Sequence, residues 1–232
     1  GVRNFVVENV PDNFSTLYKH ANFLKVSNTL VALQQLTTHH RKAFDIPVVG
    51  ITGSNGKTMV KEWLSQLLSY NRNVTRSPKS YNSQIGVPLS VWLLNESSQI
   101  GLIEAGISKV GEMQALHDII LPTVGVLTSL GAAHQENFSS LEEKCNEKLL
   151  LFKGTQALVY QFDDKIAAKC ITAAHYDGQL LAWSEHDTTA AFYVNSIEKH
   201  ETTSTINYIW QQTTQGSYTL PFIDDASISD SI

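Results

Sequence analysis

The sequence predicts an α/β fold: a P-loop-type, mainly parallel sheet with helices on both faces, plus a smaller antiparallel β element near the C-terminus. Three observations predict it. From about Ile46 to Ser184, short apolar runs alternate with amphipathic stretches. A glycine-rich segment separates the first of these runs from the first amphipathic stretch. Beyond Ala191, β-branched and aromatic residues alternate with polar ones. Strand and helix in alternation imply right-handed crossovers and parallel pairing, whereas a period of two suits hairpins.

Taken in order, the first flank, residues 1–44, holds a strand-like run at Phe5–Val7 and a helix-like run from about Asn28 to Lys42. Ile46–Ile51 reads as a buried strand. Thr58 to Tyr70 follows as a helix, because Val60, Trp63, Leu64, Leu67 and Leu68 recur at the spacing of one helical face. Ile85-Gly-Val-Pro88 opens a further helix after a loop. Ile100–Ile103 is the next strand, followed by a helix through Met113, Leu116 and Ile120. Val124–Leu127 is a strand and Leu141–Phe152 a helix, with Leu141, Cys145, Leu149 and Phe152 as its apolar face. Ala157–Tyr160 and Leu180–Trp183 complete the alternating part. Ile206–Trp210 and Ser217–Leu220 are the hairpin strands. Asp45-Ile46-Pro47 marks the boundary between the first flank and the core.

Composition narrows the function classes. Of 232 residues, 42% are hydrophobic and 17% charged, against a usual charged share of roughly 25%, which excludes a disordered chain. No apolar run approaches the roughly 18 residues of a membrane span. The net charge of −5 argues against a nucleic-acid binder working through bulk positive charge, yet leaves room for a local phosphate site. Two cysteines, Cys145 and Cys170, are too few for a disulfide framework and suit a reducing compartment. The chain starts at Gly1 without a signal-peptide pattern, so we expect a cytoplasmic protein, cut from something longer.

The sharpest local signal is Gly50-Ile-Thr-Gly-Ser-Asn-Gly-Lys-Thr58, between an expected strand and an expected helix. Glycines let the backbone turn tightly and aim N–H groups inward, and the helix N-terminus adds partial positive charge. Gly53, Ser54, Asn55 and Gly56 would cradle a nucleotide's phosphates. Lys57 would reach the β- and γ-phosphates, and Thr58 would place its hydroxyl on Mg²⁺. The strict G-x-x-x-x-G-K-S/T pattern is not met, since its first glycine falls on Ile51; the segment is the variant T-G-x-N-G-K-T. Glu104 ends an expected strand, where ligands bind in open α/β sheets, and its carboxylate suits a hard cation. His134 also follows a strand.

The loop and its surroundings resemble the Mur ligase family, ATP-dependent amide-forming enzymes of peptidoglycan precursor synthesis. Within it, the chain resembles the branch that joins D-Ala-D-Ala to UDP-MurNAc-tripeptide. The residues that carry this are His40-Arg41 with Phe44–Thr58, Tyr81–Leu89 (family stretch N-N-x-I-G-V-P-L), Glu104-Ala-Gly106 with Gly111-Glu112, and Gly131-Ala-Ala-His134 with Phe138 and Ser140-Leu141. The ordered set spans roughly Ala21 to Gly154.

The resemblance implies an ATP- and Mg²⁺-dependent ligase that acts through an acyl phosphate. It implies metal roles for Glu104 and His134, with His134 also catalytic. It further implies a carbamylated lysine in the context A-K-x-x-x-Y/F, which Lys148 fits better than Lys144, the competing candidate on the same helix. As a carbamate, Lys148 would position a second Mg²⁺. Asn82 and Ser83 would face the γ-phosphate or the muramoyl substrate, although the family commonly has two asparagines there, and Ser83 equally suits a helix N-cap. At the end of the chain, Asp224–Ile232 resembles D-x-A-S-I-E-N-A, whose asparagine contacts adenine. Asp230 stands in that place as an acceptor only.

On this reading, residues 1–44 end a UDP-substrate domain and residues 45–232 form an ATP-binding domain, incomplete here. The C-terminal acceptor-binding domain is absent, so the fragment would bind ATP and form little or no amide. Some such chains carry a fused alanine racemase, which stays open here. The alternatives are a folylpolyglutamate synthase-like ligase, a non-catalytic nucleotide-binding module and a P-loop NTPase switch.

Overall fold

The protein was analysed as a computed structural model that describes residues 2–13, 18–131 and 137–232. Two short strands come first, β1 (Asn4–Val7) and β2 (Asn22–Lys25), paired in parallel as a separate two-stranded sheet. Phe5 and Phe23 stack across that pair at 5.3 Å. Helix α1 (Thr29–Arg41) follows, capped by the Asn28 side chain, which accepts from the Val31 N–H. α1 is fastened to the body beyond it. Buried Arg41 donates from Nε to the Ile120 carbonyl at 2.8 Å, and Gln34 donates to Gln84 Oε1 at 2.9 Å.

The remaining elements alternate much as the hydrophobic pattern predicts. β3 (Val48–Thr52) leads into α2 (Lys57–Leu68), β4 (Val74–Arg76) and α3 (Gly86–Val91). β5 (Ile100–Glu104), α4 (Met113–Ile120), β6 (Val124–Leu127) and α5 (Leu141–Leu149) come next, and a single 3₁₀ turn, Leu150–Phe152, extends α5. β7 (Ala157–Gln161), α6 (Lys165–Ala173) and β8 (Gln179–Ser184) close the alternating part. β9 (Phe192–Lys199), β10 (Ser204–Trp210), β11 (Thr214–Leu220) and α7 (Asp225–Ser231) finish the chain. Four of these elements, β2, β4, α6 and α7, are short pieces outside the sequence reading. Three of them span seven residues or fewer, and α6 relies on Ala167, Cys170 and Ile171 rather than on a strong apolar stripe.

All of β3 to β11 form one sheet in the order β11-β10-β9-β8-β7-β6-β3-β5-β4. Pairing is parallel from β4 across to β9 and antiparallel for β9-β10 and β10-β11. The C-terminal strands are therefore not a detached hairpin layer but an extension of the main sheet, joined through Trp183 and Ser184 of β8 beside Phe192 and Tyr193 of β9.

Side-chain alternation along β3 feeds two cores. Val48 faces Met113, Leu116 and Ile120 of α4, while Val49 and Ile51 face the opposite side, with Leu64 and Leu68 of α2. Helices thus cover both faces, as a parallel sheet requires. Gly125 of β6 matters here, because a Cβ there would collide with the Phe152 ring that packs over the strand. A third core, Trp183, Val194, Ile206 and Ile228, lies under β8 to β10 and α7.

One expectation needs correction. The apolar face read for α2 is its half-covered side, and Leu67 is 73% exposed. The residues of α2 that sit deepest are Lys61 and Ser65. The reason is position: the polar side of α2 lies toward the end of β5, where Lys61 meets Glu104 and the Lys79 carbonyl.

Candidate active site

The centre of the sheet carries the site. β3 is buried along its whole length, and its chain turns through Gly53–Gly56 before α2 begins at Lys57. Gly56 has φ +82°, a left-handed conformation, and a Cβ there would strike the Asp230 carboxylate. Only glycine meets both conditions at low cost. Loop and neighbours are stitched together by hydrogen bonds. Ser54 N–H donates to the Ser129 carbonyl at 2.7 Å, and Ser54 Oγ accepts from Gly131 N–H at 2.9 Å. The Thr128 hydroxyl donates to the Asn55 carbonyl at 2.6 Å.

Lys57 folds back over the loop, donating from Nζ to the carbonyls of Gly53 at 2.9 Å and Ser54 at 3.1 Å. Burial pulls its ammonium below the usual lysine range; Glu104 opposes that shift and Lys144 adds to it. Glu104, fully buried at the end of β5, is gripped on both oxygens. The Thr58 hydroxyl donates to Oε2 at 3.0 Å, and Asn82 Nδ2 donates to Oε1 at 2.7 Å. Thr58, Asn82 and Glu104, far apart in sequence, therefore converge on one carboxylate. Ser83 turns away from it: its hydroxyl accepts from the Gly86 N–H at 3.1 Å, at the start of α3.

Helix α5 supplies two more buried lysine amino groups. Lys148 Nζ donates to the Gly53 carbonyl at 3.0 Å, and Lys144 Nζ donates to the Gly131 carbonyl at 2.6 Å. Burial first, then the charges of Lys57 and Lys144, lowers Lys148 to about 7. Lys148 is buried, as is Lys144. Glu147, also buried, accepts from the N–H groups of Gly111 (2.9 Å) and Met113 (3.0 Å) at the start of α4. A cleft of about 410 Å³ opens over these groups, walled by Gly53, Lys57, Asn82, Ser83, Lys144 and Lys148. Three lysines, loop amides and an amide side chain make it a receptor for a polyanion.

Asp230 reaches the same loop from α7, beside Gly56. α7 is seated there by stacking of Phe222 on Trp63 of α2, with centroids 5.2 Å apart. Burial, with Asp224 second, pushes the Asp230 carboxyl above its ordinary range. His134 lies outside the described residues. Lys61, which the sequence reading passed over, approaches Glu104 to 3.5 Å. The signal was available: Lys61 is four residues after Lys57, hence on the same side of α2.

The donor set suits a magnesium ion. Thr58 offers a hydroxyl and Glu104 a carboxylate, both hard oxygens. Among the described residues, no group of three or more His, Cys, Asp or Glu side chains is placed to hold a metal. Mg²⁺ commonly relies on one or two carboxylates and on substrate phosphates.

Residues 51–229 match the Mur ligase middle domain. The chain belongs to the Mur ligase family. A relative in Bacillus subtilis (strain 168), named UDP-N-acetylmuramoyl-tripeptide–D-alanyl-D-alanine ligase, is 32% identical over 203 residues, which is 83% of this chain and 43% of that protein. A protein of the same name in Synechocystis is 40% identical over 114 residues, 49% of this chain and 25% of its own length. MurF from Acinetobacter baumannii superimposes with a TM-score of 0.86 at 24% identity, over 97% of this chain and 48% of that one. MurF ligase from Thermotoga maritima in complex with ADP gives 0.82 at 24% identity, over 97% and 51%. A folylpolyglutamate synthase variant from L. casei shares the fold more distantly, at 0.68 and 16% identity over 87% of this chain and 59% of that one. This Mur ligase chain thus spans about half the length of the MurF structures that it resembles. Among its described residues, no helix is long and apolar enough to cross a membrane.

Proposed function

We propose that the parent protein is a cytoplasmic, ATP-dependent ligase that joins D-Ala-D-Ala to UDP-MurNAc-tripeptide. Residues 45–232 serve as its ATP-binding unit and residues 1–44 as the end of a UDP-substrate domain. The acceptor-binding part belongs to the length of the relatives that this chain does not span. One observation carries the reading. The phosphate loop, Thr58, Asn82 and Glu104 meet at the strand ends within the region matched to the Mur ligase middle domain.

In this reading, the loop amides of Gly53, Ser54, Asn55 and Gly56 and the start of α2 receive the phosphates of ATP. Lys57 leaves the Gly53 and Ser54 carbonyls to sit on the transferring phosphoryl group, where fixed positive charge stabilises developing negative charge. Mg²⁺, when bound, neutralises phosphate charge; Thr58 and Glu104 would hold it, with His134 and a carbamylated Lys148 as the ligands that family resemblance implies. Asn82, which donates to Glu104, lines the cleft and, with Ser83, faces the tripeptide carboxylate or the γ-phosphate. Transfer of the γ-phosphoryl group of ATP to an oxygen of the tripeptide carboxylate breaks the β–γ bond, releases ADP and gives an acyl phosphate. The amine of D-Ala-D-Ala then attacks the carbonyl carbon, the amide forms and phosphate departs. No side chain needs to act as nucleophile, because the substrate carries the activated group. Asp230 lies beside the loop, where it would accept from the adenine amino group.

The test is phosphate release from ATP by the full-length parent, with and without the two acceptors. Release that needs both UDP-MurNAc-tripeptide and D-Ala-D-Ala, and is lost in Lys57→Ala, is the expected result. Release indifferent to either acceptor would overturn the ligase reading and favour a nucleotide switch. The 232-residue chain alone should bind ATP or ADP yet form little amide.

A further inference from the structure

Lys61 has no part in the reaction just described, yet its side chain is completely buried on α2. Its ammonium stands 3.5 Å from Glu104 Oε2 and 3.3 Å from Glu62 Oε1, and it donates to the Lys79 carbonyl. Glu62 in turn accepts from Arg76 Nε at 3.0 Å. Charges therefore alternate inward from the surface: Arg76, Glu62, Lys61, Glu104. A buried ammonium is costly unless paired and hydrogen-bonded, and a methionine would fill similar space without that cost. Besides holding the Lys79 carbonyl and Glu62, what Lys61 does that methionine would not is cancel the charge of Glu104.

That cancellation has a consequence for metal binding. A bare divalent cation approaching Glu104 meets a carboxylate already neutralised at ion-pair distance. It also meets repulsion from Lys57, which is coupled electrostatically to Glu104 and to Lys144. A nucleotide triphosphate reverses the balance, because its phosphates bring several negative charges to the lysines and further oxygen ligands to the ion.

We propose that Lys61 is the built-in counter-ion of Glu104 and makes divalent-cation binding at this site conditional on nucleotide, so that the bare ion is refused and the metal–nucleotide complex is accepted. Lys61 is thus a positioning and charge-setting residue, acting through Glu104 rather than on the substrate. The proposal rests on the nucleotide-binding reading above and adds the order in which the ligands can assemble.

The experiment uses Mn²⁺ as the probe, with free ion counted by electron paramagnetic resonance. The 232-residue chain and its Lys61→Met variant are titrated with and without a non-hydrolysable ATP analogue, and thermal unfolding reports folding. The wild-type chain should take up Mn²⁺ only with nucleotide. Lys61→Met should bind bare Mn²⁺ about tenfold more tightly or better, since one unit charge has gone from ion-pair range. A purely structural lysine would change the melting temperature and leave bare-ion affinity unmoved, which overturns the proposal. So does a wild-type chain that binds bare Mn²⁺ as tightly as it does with nucleotide, whatever the variant does.

Should Lys61→Met not fold, Glu62→Gln at its partly exposed position gives a second reading. It leaves the Lys61 charge to Glu104 alone and should weaken nucleotide-dependent Mn²⁺ binding roughly two- to fivefold; no change overturns the proposal. If the wild-type chain binds no Mn²⁺–nucleotide complex, the nucleotide reading itself fails and takes this inference with it. If it binds the complex while bare-ion affinities match, only the role of Lys61 is lost.

Discussion

The parallel part of the main sheet and its antiparallel extension bury different kinds of residue. Around β3, β5 and α5, the interior holds Lys61, Glu104, Lys144, Glu147 and Lys148, all 7% exposed or less. Under β8 to β10, the interior is Trp183, Val194, Ile206 and Ile228, and the buried polar residues there are the serines Ser184 and Ser204. Burying a charge costs several kcal/mol unless partners are arranged around it, so a fold gains nothing in stability by collecting five in one place. The parallel part carries the cost because strand ends and helix starts meet there, and that is where oxygen, amide and ammonium groups can be aimed at a ligand. The extension carries no such burden and works as scaffold, closing one side of the sheet and setting α7 against the phosphate loop.

The contrast can be broken from either side. The largest effect should come from the scaffold. Ile206→Ala removes a fully buried side chain of β10 and should cost about 2–5 kcal/mol in chemical denaturation. Nucleotide affinity of the folded fraction should stay as it was; a matching loss of affinity would mean that the extension shapes the site directly. Next comes Lys148→Met, measured in CO₂-free buffer. Burial holds Lys148 at about 7 in the folded chain, against roughly 10.4 when unfolded. Between those values the unfolded state binds more protons, so wild-type stability should rise with pH across that window and level off below it. The variant should lose this rise, which amounts to a few kcal/mol at most. An unchanged pH profile would show that Lys148 is not held neutral.

A smaller change is expected from Gly56→Ala, which puts a Cβ at φ +82° against Asp230. It should cost about 1–3 kcal/mol, and nucleotide binding should weaken along with stability, because the loop and α7 are in contact. Smallest is Asp230→Asn. Burial and Asp224 raise the Asp230 carboxyl in the folded chain, so the wild-type chain loses stability as pH rises from the unfolded carboxylate range through the folded value. The variant should be insensitive there, slightly more stable at neutral pH, and equal to wild type in acid. Equal stability at both ends of a pH series of melting curves would rule this out.

How much of this was legible depends on the range of the interaction. The strand–loop–helix unit from Val48 to Leu68 could be read closely, because turn glycines, a helix start and apolar periodicity are local properties. Glu104 and Asn82 could be named as candidates. That one carboxylate accepts from both Thr58 and Asn82 could not, since 46 and 22 residues respectively separate these partners from it. Lys144, Glu147 and Lys148 occupy one side of a short helix whose apolar residues point elsewhere, and nothing in their spacing says that this side is also covered. For α2 the apolar stripe pointed to the wrong depth: it lies half-covered, and the polar Lys61 and Ser65 go inside.

Sequence alone thus determined the fold class, the order of most elements, the glycine-rich strand-to-helix turn and the family, because each rests on short-range spacing or on ordered motifs. Tertiary structure alone decided that the antiparallel strands continue the parallel sheet, that α7 reaches the loop, and that Lys61 pairs with Glu104. Those depend on which surfaces pack together. A charged residue is placed inside by the partners that await it, and its partners here come from other turns of the chain.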